Sequence, residues 1–173
     1  MSVEKLKKMI RPINEKSISE NDWDSVQNEY DIKLPSDYKD MISTYGAGAI
    51  NDFLWIFSPF SINENLNLLK RIDEIKNSYE YMKDEFPDKE WLSFYNGESG
   101  IFPWGITDNG DELFLNYTNR GISIVVYESR YSKMNEYDLN ISEFLVKVLN
   151  GELYCDIFPD DFVLEENYFN AVN

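Results

Sequence analysis

The segment from Gly100 to Glu128 limits the fold more than any other part of the chain. It holds three apolar-rich runs, "GIFPWGI", "ELFLNY" and "ISIVVYE", separated by "TDNGD" and "TNRG". Asn-Gly between two apolar runs is a strong hairpin signal, because the tight turn needs residues that accept positive φ. Strands joined by so few residues pair antiparallel, since a parallel pairing needs a long crossover. An antiparallel sheet is therefore expected in the second half of the chain.

The first half reads differently. In "LPSDYKDMISTYGAG", Tyr38, Met41, Ile42 and Tyr45 recur at the i, i+3, i+4, i+7 spacing of one helix face. Pro35 and Ser36 mark the start, Asp37 and Asp40 suit the positive end of the helix dipole, and Gly46 suits a left-handed stop. Upstream, Ser19 stands three residues before Asp22, a capping-box-like start with Asp in place of the usual Glu or Gln, and Trp23, Val26, Gln27 and Tyr30 follow at helical spacing. Residues 3–10 read as a short helix around Leu6, Met9 and Ile10, ended by Pro12. Residues 64–85 keep a helical period through Leu66, Leu69, Ile72, Ile75, Tyr79 and Met82. The run Phe53–Phe57 reads as a buried strand, and "WLSFY" as another. "ISEFLVKVLNG" is a last helix closed by Gly151, and the tail "DIFPDDFVLEENYF" is acidic and aromatic. Helices first, then strands, then a helix is the signature of an α+β fold with an antiparallel sheet.

Apolar residues make up 43% of the 173 positions and aromatics 16%, enough for a packed core. No run approaches the ~20 apolar residues of a membrane span. "MSVEKLKKMIRPINEK" has no apolar block of the signal-peptide kind, and the lone Cys155 has no internal disulfide partner, so a cytoplasmic protein is expected. The net charge is −16, and the excess is concentrated late: residues 91–173 hold fourteen acids and four bases. A field of that sign repels nucleic acid and anionic lipid and attracts basic partners. The chain has no histidine. This removes Ser-His-Asp and Cys-His catalysis, His-based zinc sites and the usual proton shuttle near neutral pH.

The remaining chemical motifs favour structural roles. Asp108-Asn109-Gly110-Asp111-Glu112 gathers oxygen ligands, but the spacing is not that of a twelve-residue calcium loop, so no metal site is assigned. The adjacent pairs Asp160–Asp161 and Glu165–Glu166 diverge on any regular backbone and do not form an acid/base couple. Cys155 has no His to activate it. "GAGAINDF" lacks the Lys and the preceding strand of a phosphate-binding loop, and no cofactor is expected. Of the four tryptophans, Trp55 reads as core, while Trp104, beside Gly105, is a candidate surface anchor.

Several of these stretches together resemble one family. "IKLPSDYKDMISTYGAGAINDFLWIFSP" resembles the opening of the SUKH superfamily in its Smi and Knr branch, where a Leu-Pro pair leads into a helix, a small-residue turn and a strand. "FPWGITDNGDELF" resembles that family's central hairpin, and "ISEFLVKVLNGELYCDIFPDDF" its closing helix and acidic tail. The match runs over about residues 20–163. Leu115 departs from it, since many relatives place a Trp near there. The resemblance implies one α+β domain over 1–173, with a central, curved, mainly antiparallel sheet flanked by helices. It implies no enzymatic activity and a bacterial immunity protein that binds a toxin domain, often a nuclease. The alternatives are a regulatory scaffold of the fungal cell-wall-signalling type and, more distantly, a carboxylate-dependent enzyme. Acidity and expected exposure nominate Asp108, Asp111, Glu112, Asp156, Asp160 and Asp161 as contacts to a basic partner, with Trp104 as the anchor.

Overall fold

A computed structural model describes residues 2–13, 17–128 and 130–172. Five α-helices are found among them: α1 (Ser2–Met9), α2 (Glu20–Glu29), α3 (Ser36–Tyr45), α4 (Leu68–Glu85) and α5 (Ile141–Leu149). The strands are β1 (Gly48–Ile50), β2 (Leu54–Ile56), β3 (Gly100–Thr107), β4 (Glu112–Thr118), β5 (Gly121–Glu128), β6 (Lys133–Tyr137) and β7 (Phe169–Ala171). They form one antiparallel sheet in the order β6-β5-β4-β3-β2-β1-β7. This is the expected α+β architecture. Six strands meander in sequence, and the seventh returns from the C-terminal tail to pair with the first.

Helix starts follow local chemistry. At α2 the Ser19 hydroxyl accepts the Asp22 N–H at 3.2 Å, and the Asp22 carboxylate accepts the Ser19 N–H at 3.3 Å. Asp thus completes a capping box usually closed by Glu or Gln. The Asn67 side chain accepts the Leu69 and Lys70 N–H groups at the start of α4, and Asn140 accepts that of Glu143 at the start of α5. Asp37 stands in the first turn of α3, as expected. It also reaches across to α5, accepting the Ser142 N–H at 2.9 Å and the Ser142 hydroxyl. The carboxylate therefore pins two helices at the positive end of α5. Asp37→Ala should cost about 1–2 kcal/mol, the usual worth of a helix cap, and lower the thermal midpoint by several degrees. An unchanged melt would show that the pin is energetically idle.

Side chains alternate across a strand, and directly opposed residues on neighbouring strands share a face. One face therefore carries Leu113, Leu115, Ile124, Val126 and Tyr137. Helix α5 packs there, with Phe144 5.1 Å from the Tyr137 ring, and α1 and α3 pack on α5. The other face carries Phe114, Val125 and Tyr127, covered by α4 through Tyr79, whose ring lies 6.3 Å from both Phe114 and Tyr127. The core is thus a three-layer stack of helices, sheet and helix.

Three details differ from the sequence reading. The apolar run at Phe53–Phe57 supplies only β2; Asn51 and Asp52, both with φ +52°, turn the chain back so that Gly48–Ile50 pairs with it. "WLSFY" is an irregular segment with one parallel bridge from Phe94 to Ile101. Its aromatics do not build a strand: Trp91 and Phe94 stack edge-on against Tyr79. β6 and β7 are additional edge strands.

Candidate functional site

The antiparallel meander sends alternate turns to one end of the sheet. The β1–β2 turn, the β3–β4 turn and the β5–β6 turn all lie there, because Leu54 pairs with Thr107, Glu112 with Tyr127 and Glu128 with Lys133. The tail after α5 joins them. The Asn51 amide donates to the Phe162 carbonyl at 2.8 Å and to Asn167 Oδ1 at 2.7 Å, and its own oxygen accepts the Tyr168 N–H at 3.0 Å. Below this clasp the Phe53 ring packs on Phe158 and Phe162. Segments 51–53, 107–112, 128–133 and 155–168 together hold ten Asp and Glu against Arg130 and Lys133. The late excess of acid is therefore a spatial rim as well as a stretch of sequence.

The seven residues nominated from the sequence occupy different places on or beneath this rim. Asp108 is exposed at the β3–β4 turn, where its N–H donates to the Phe53 carbonyl at 2.8 Å and ties two turns together. Asp156, Asp160 and Asp161 are exposed on the tail. Asp156 is bound by Lys133 and by Asn135, each at 2.6 Å, and these bonds hold its carboxyl below the usual range. A polar cavity of about 460 Å³ lies between Asp108, Asp111, Glu128, Arg130 and Ile157.

Three nominations are corrected as surface contacts. Asp111 is only 5% exposed: its carboxylate accepts the Thr107 hydroxyl at 2.7 Å, and its N–H donates back to that hydroxyl at 2.9 Å. It closes the hairpin, with Gly110 supplying the positive φ of +87°. Glu112 points under α4, where the Tyr79 hydroxyl donates to it at 2.5 Å. Burial raises its pKa, and the Tyr79 bond and the Arg71 guanidinium offset this only in part. A folded-state pKa above the unfolded one adds stability at low pH that fades as pH rises through the folded value. Glu112→Gln should therefore stabilise the protein near pH 8 and do little near pH 4, as read from melts at both. Equal effects at the two would contradict the assignment. Trp104 is fully buried. It stands at the register shift between Pro103 and Gly105, and its carbonyl accepts the Phe57 N–H at 2.9 Å.

Surface aromatics are nonetheless present on the rim, at positions not singled out from the sequence. Tyr131, Tyr154 and Tyr168 are 74%, 73% and 42% exposed. The signal was the acidic, aromatic composition of the tail. Composition alone does not separate Phe158 and Phe162, which go inward, from Tyr154 and Tyr168, whose phenol tips favour water.

A larger cleft, about 900 Å³, opens elsewhere between α2, α3 and Tyr95. Its charges nearly balance: Glu20, Asp31 and Asp40 face Lys33 and Lys39, and Lys39 sits 5.7 Å from the Trp23 ring centre. It lacks the one-signed field of the rim. Among the described residues there is no group of three or more His, Cys, Asp or Glu placed to hold a metal ion, and no helix long and apolar enough to cross a membrane.

Fold and surface define an α+β protein with helices on both faces of an antiparallel sheet and an acidic loop end. Residues 17–147 match the SMI1 / KNR4 family (SUKH-1), and the chain belongs to that family. No curated protein and no solved structure matches the chain. The family match begins after α1, covers α2, α3, α4 and the meander, and stops within α5, so the C-terminal part of the rim lies beyond it.

Proposed function

We propose that this protein is an immunity protein that neutralises a cognate polymorphic toxin, a nuclease, by stoichiometric occlusion. Family membership supports a binding role of this kind. The observation that carries the mechanism is the rim. Asp108, Asp156, Asp160 and Asp161 come from separate parts of the chain to one sheet end, where the described rim segments supply Lys133 and Arg130 as bases. A nuclease must hold phosphate, so its working cleft is basic. A polyanionic protein surface competes for that cleft, speeds encounter and excludes substrate. Aromatic side chains at the same end supply slow dissociation. The reading assigns binding to the rim and no bond-making step.

The test uses the toxin domain encoded beside this gene. A one-to-one complex should form with a Kd on the order of nanomolar, with association that slows as salt rises, and one equivalent should abolish nuclease activity. Absence of a complex at low salt would refute the proposal.

A further inference from the structure

Two phenol–carboxylate pairs on the rim carry more information than its charge. The Tyr154 hydroxyl donates to Asp160 Oδ1 at 3.2 Å, and the Tyr168 hydroxyl donates to Asp52 Oδ2 at 2.8 Å. Each bond fixes the phenol tip while much of the ring stays open to solvent. Each carboxylate keeps accepting capacity, since one phenol uses only one of about four lone-pair sites. The Asp52 carboxylate also accepts the Asn170 amide at 3.2 Å, which holds it in place. The tail between the two pairs is clasped by Asn51, and Val163 and Leu164 stand exposed beside them at 40% and 39%.

An open aromatic face next to a fixed carboxylate discriminates between cations. A lysine ammonium is a compact, strongly hydrated point charge, and any exposed carboxylate serves it equally well. A guanidinium is planar and weakly hydrated; it stacks on a ring and donates two parallel N–H groups to one carboxylate. The net charge of −16 fixes the sign of the occupant, and the ring beside each carboxylate fixes its shape. We propose that Tyr154–Asp160 and Tyr168–Asp52 are two clamps for arginine side chains on a basic protein partner. This rests on the binding reading above and specifies the chemistry of the same surface. It also transfers the anchor role from buried Trp104 to Tyr154 and Tyr168.

The experiment measures binding of fluorescent nona-arginine and nona-lysine to the full chain by anisotropy, at low and at physiological salt. Both peptides carry the same charge. The arginine peptide should bind about tenfold tighter at physiological salt, the scale of two exposed cation–π contacts. Tyr154→Ala with Tyr168→Ala should bring the two peptides within about twofold, with most of the loss falling on the arginine peptide. Tyr154→Ala alone, which leaves the Asn51 clasp intact, should remove about half of the preference on a logarithmic scale. Equal affinity for the two peptides in the unaltered protein, or a preference that survives the double variant, overturns the clamps and leaves polycation binding standing. Failure to bind either peptide at low salt overturns the clamps and the binding reading together.

Discussion

Gly48→Ala should release the C-terminal strand. A Cβ at position 48 would lie 2.2 Å from the Asn170 carbonyl oxygen and 2.7 Å from the Phe169 ring. Backbone cannot yield there without breaking the β1–β7 pairing, and the Phe169 ring is packed on Tyr45 at 5.1 Å. The cost combines overpacking with loss of a buried aromatic, about 2–4 kcal/mol. Hydrogen exchange should locate it: the Val172 N–H, which donates to Ala47, and the Asn51 N–H, which donates to Tyr168, should lose protection. Amides in β4 and β5 should keep theirs. Phe169→Ala, which removes the ring without adding a Cβ at 48, should loosen the same segment. Full protection of residues 168–172 in both variants would mean that the tail is held by something other than this pairing. The prediction extends to the rim because the same tail brings Asp160, Asp161 and Tyr168 there.

Neutralising the rim should separate the speed of encounter from the strength of the final contact. Asp108→Asn, Asp156→Asn, Asp160→Asn and Asp161→Asn together remove four exposed carboxylates, and the change at 156 also frees Lys133 from its 2.6 Å partner. Association with the proposed toxin partner should slow by about 10- to 100-fold at low salt, with a flatter salt dependence and a smaller change in dissociation. Stability should change little, because loss of the exposed Lys133–Asp156 pair offsets the relief of repulsion among the like charges. An association rate unaffected by the four changes would eliminate steering by the rim. A collapse in melting temperature would instead mark these carboxylates as structural.

Much of the frame was legible because its signals are local. Ser19 and Asp22 announced α2 and form the capping box. Asn109-Gly110 announced the central hairpin, and the periods of 36–45, 64–85 and 141–149 announced helices. What escaped depends on distant partners. β1 and β7 have three residues each, too few for a period, and exist because each satisfies the other's backbone. In β6, "KMNEY" alternates partly buried and exposed positions, but polar Lys133 and Asn135 take the sheltered places by bonding Asp156, so the strand lacks an apolar stripe. "WLSFY" has strand-like composition, yet its rings found a better site on Tyr79 than a neighbouring ladder would offer. The site was legible to the level of its charge. Asp108, Asp156, Asp160 and Asp161 are exposed where acidity suggested, while Asp111 and Glu112 are drawn inward by Thr107 and Tyr79. Trp104 lies on a strand whose sheet is covered by helices on both faces, so its place beside Gly105 does not bring it to the surface.

The return of β7 to β1 has a consequence for the order of events during synthesis. Residues 169–171 are made after every segment they touch. Until they emerge, the outer edge of β1 presents open backbone groups to any passing strand, a known route to misassembly. Asn51 waits equally long for Phe162 and Asn167, more than a hundred positions downstream. The acidic face therefore forms after the meander, so a nascent chain has its helices and meander before it has the whole rim.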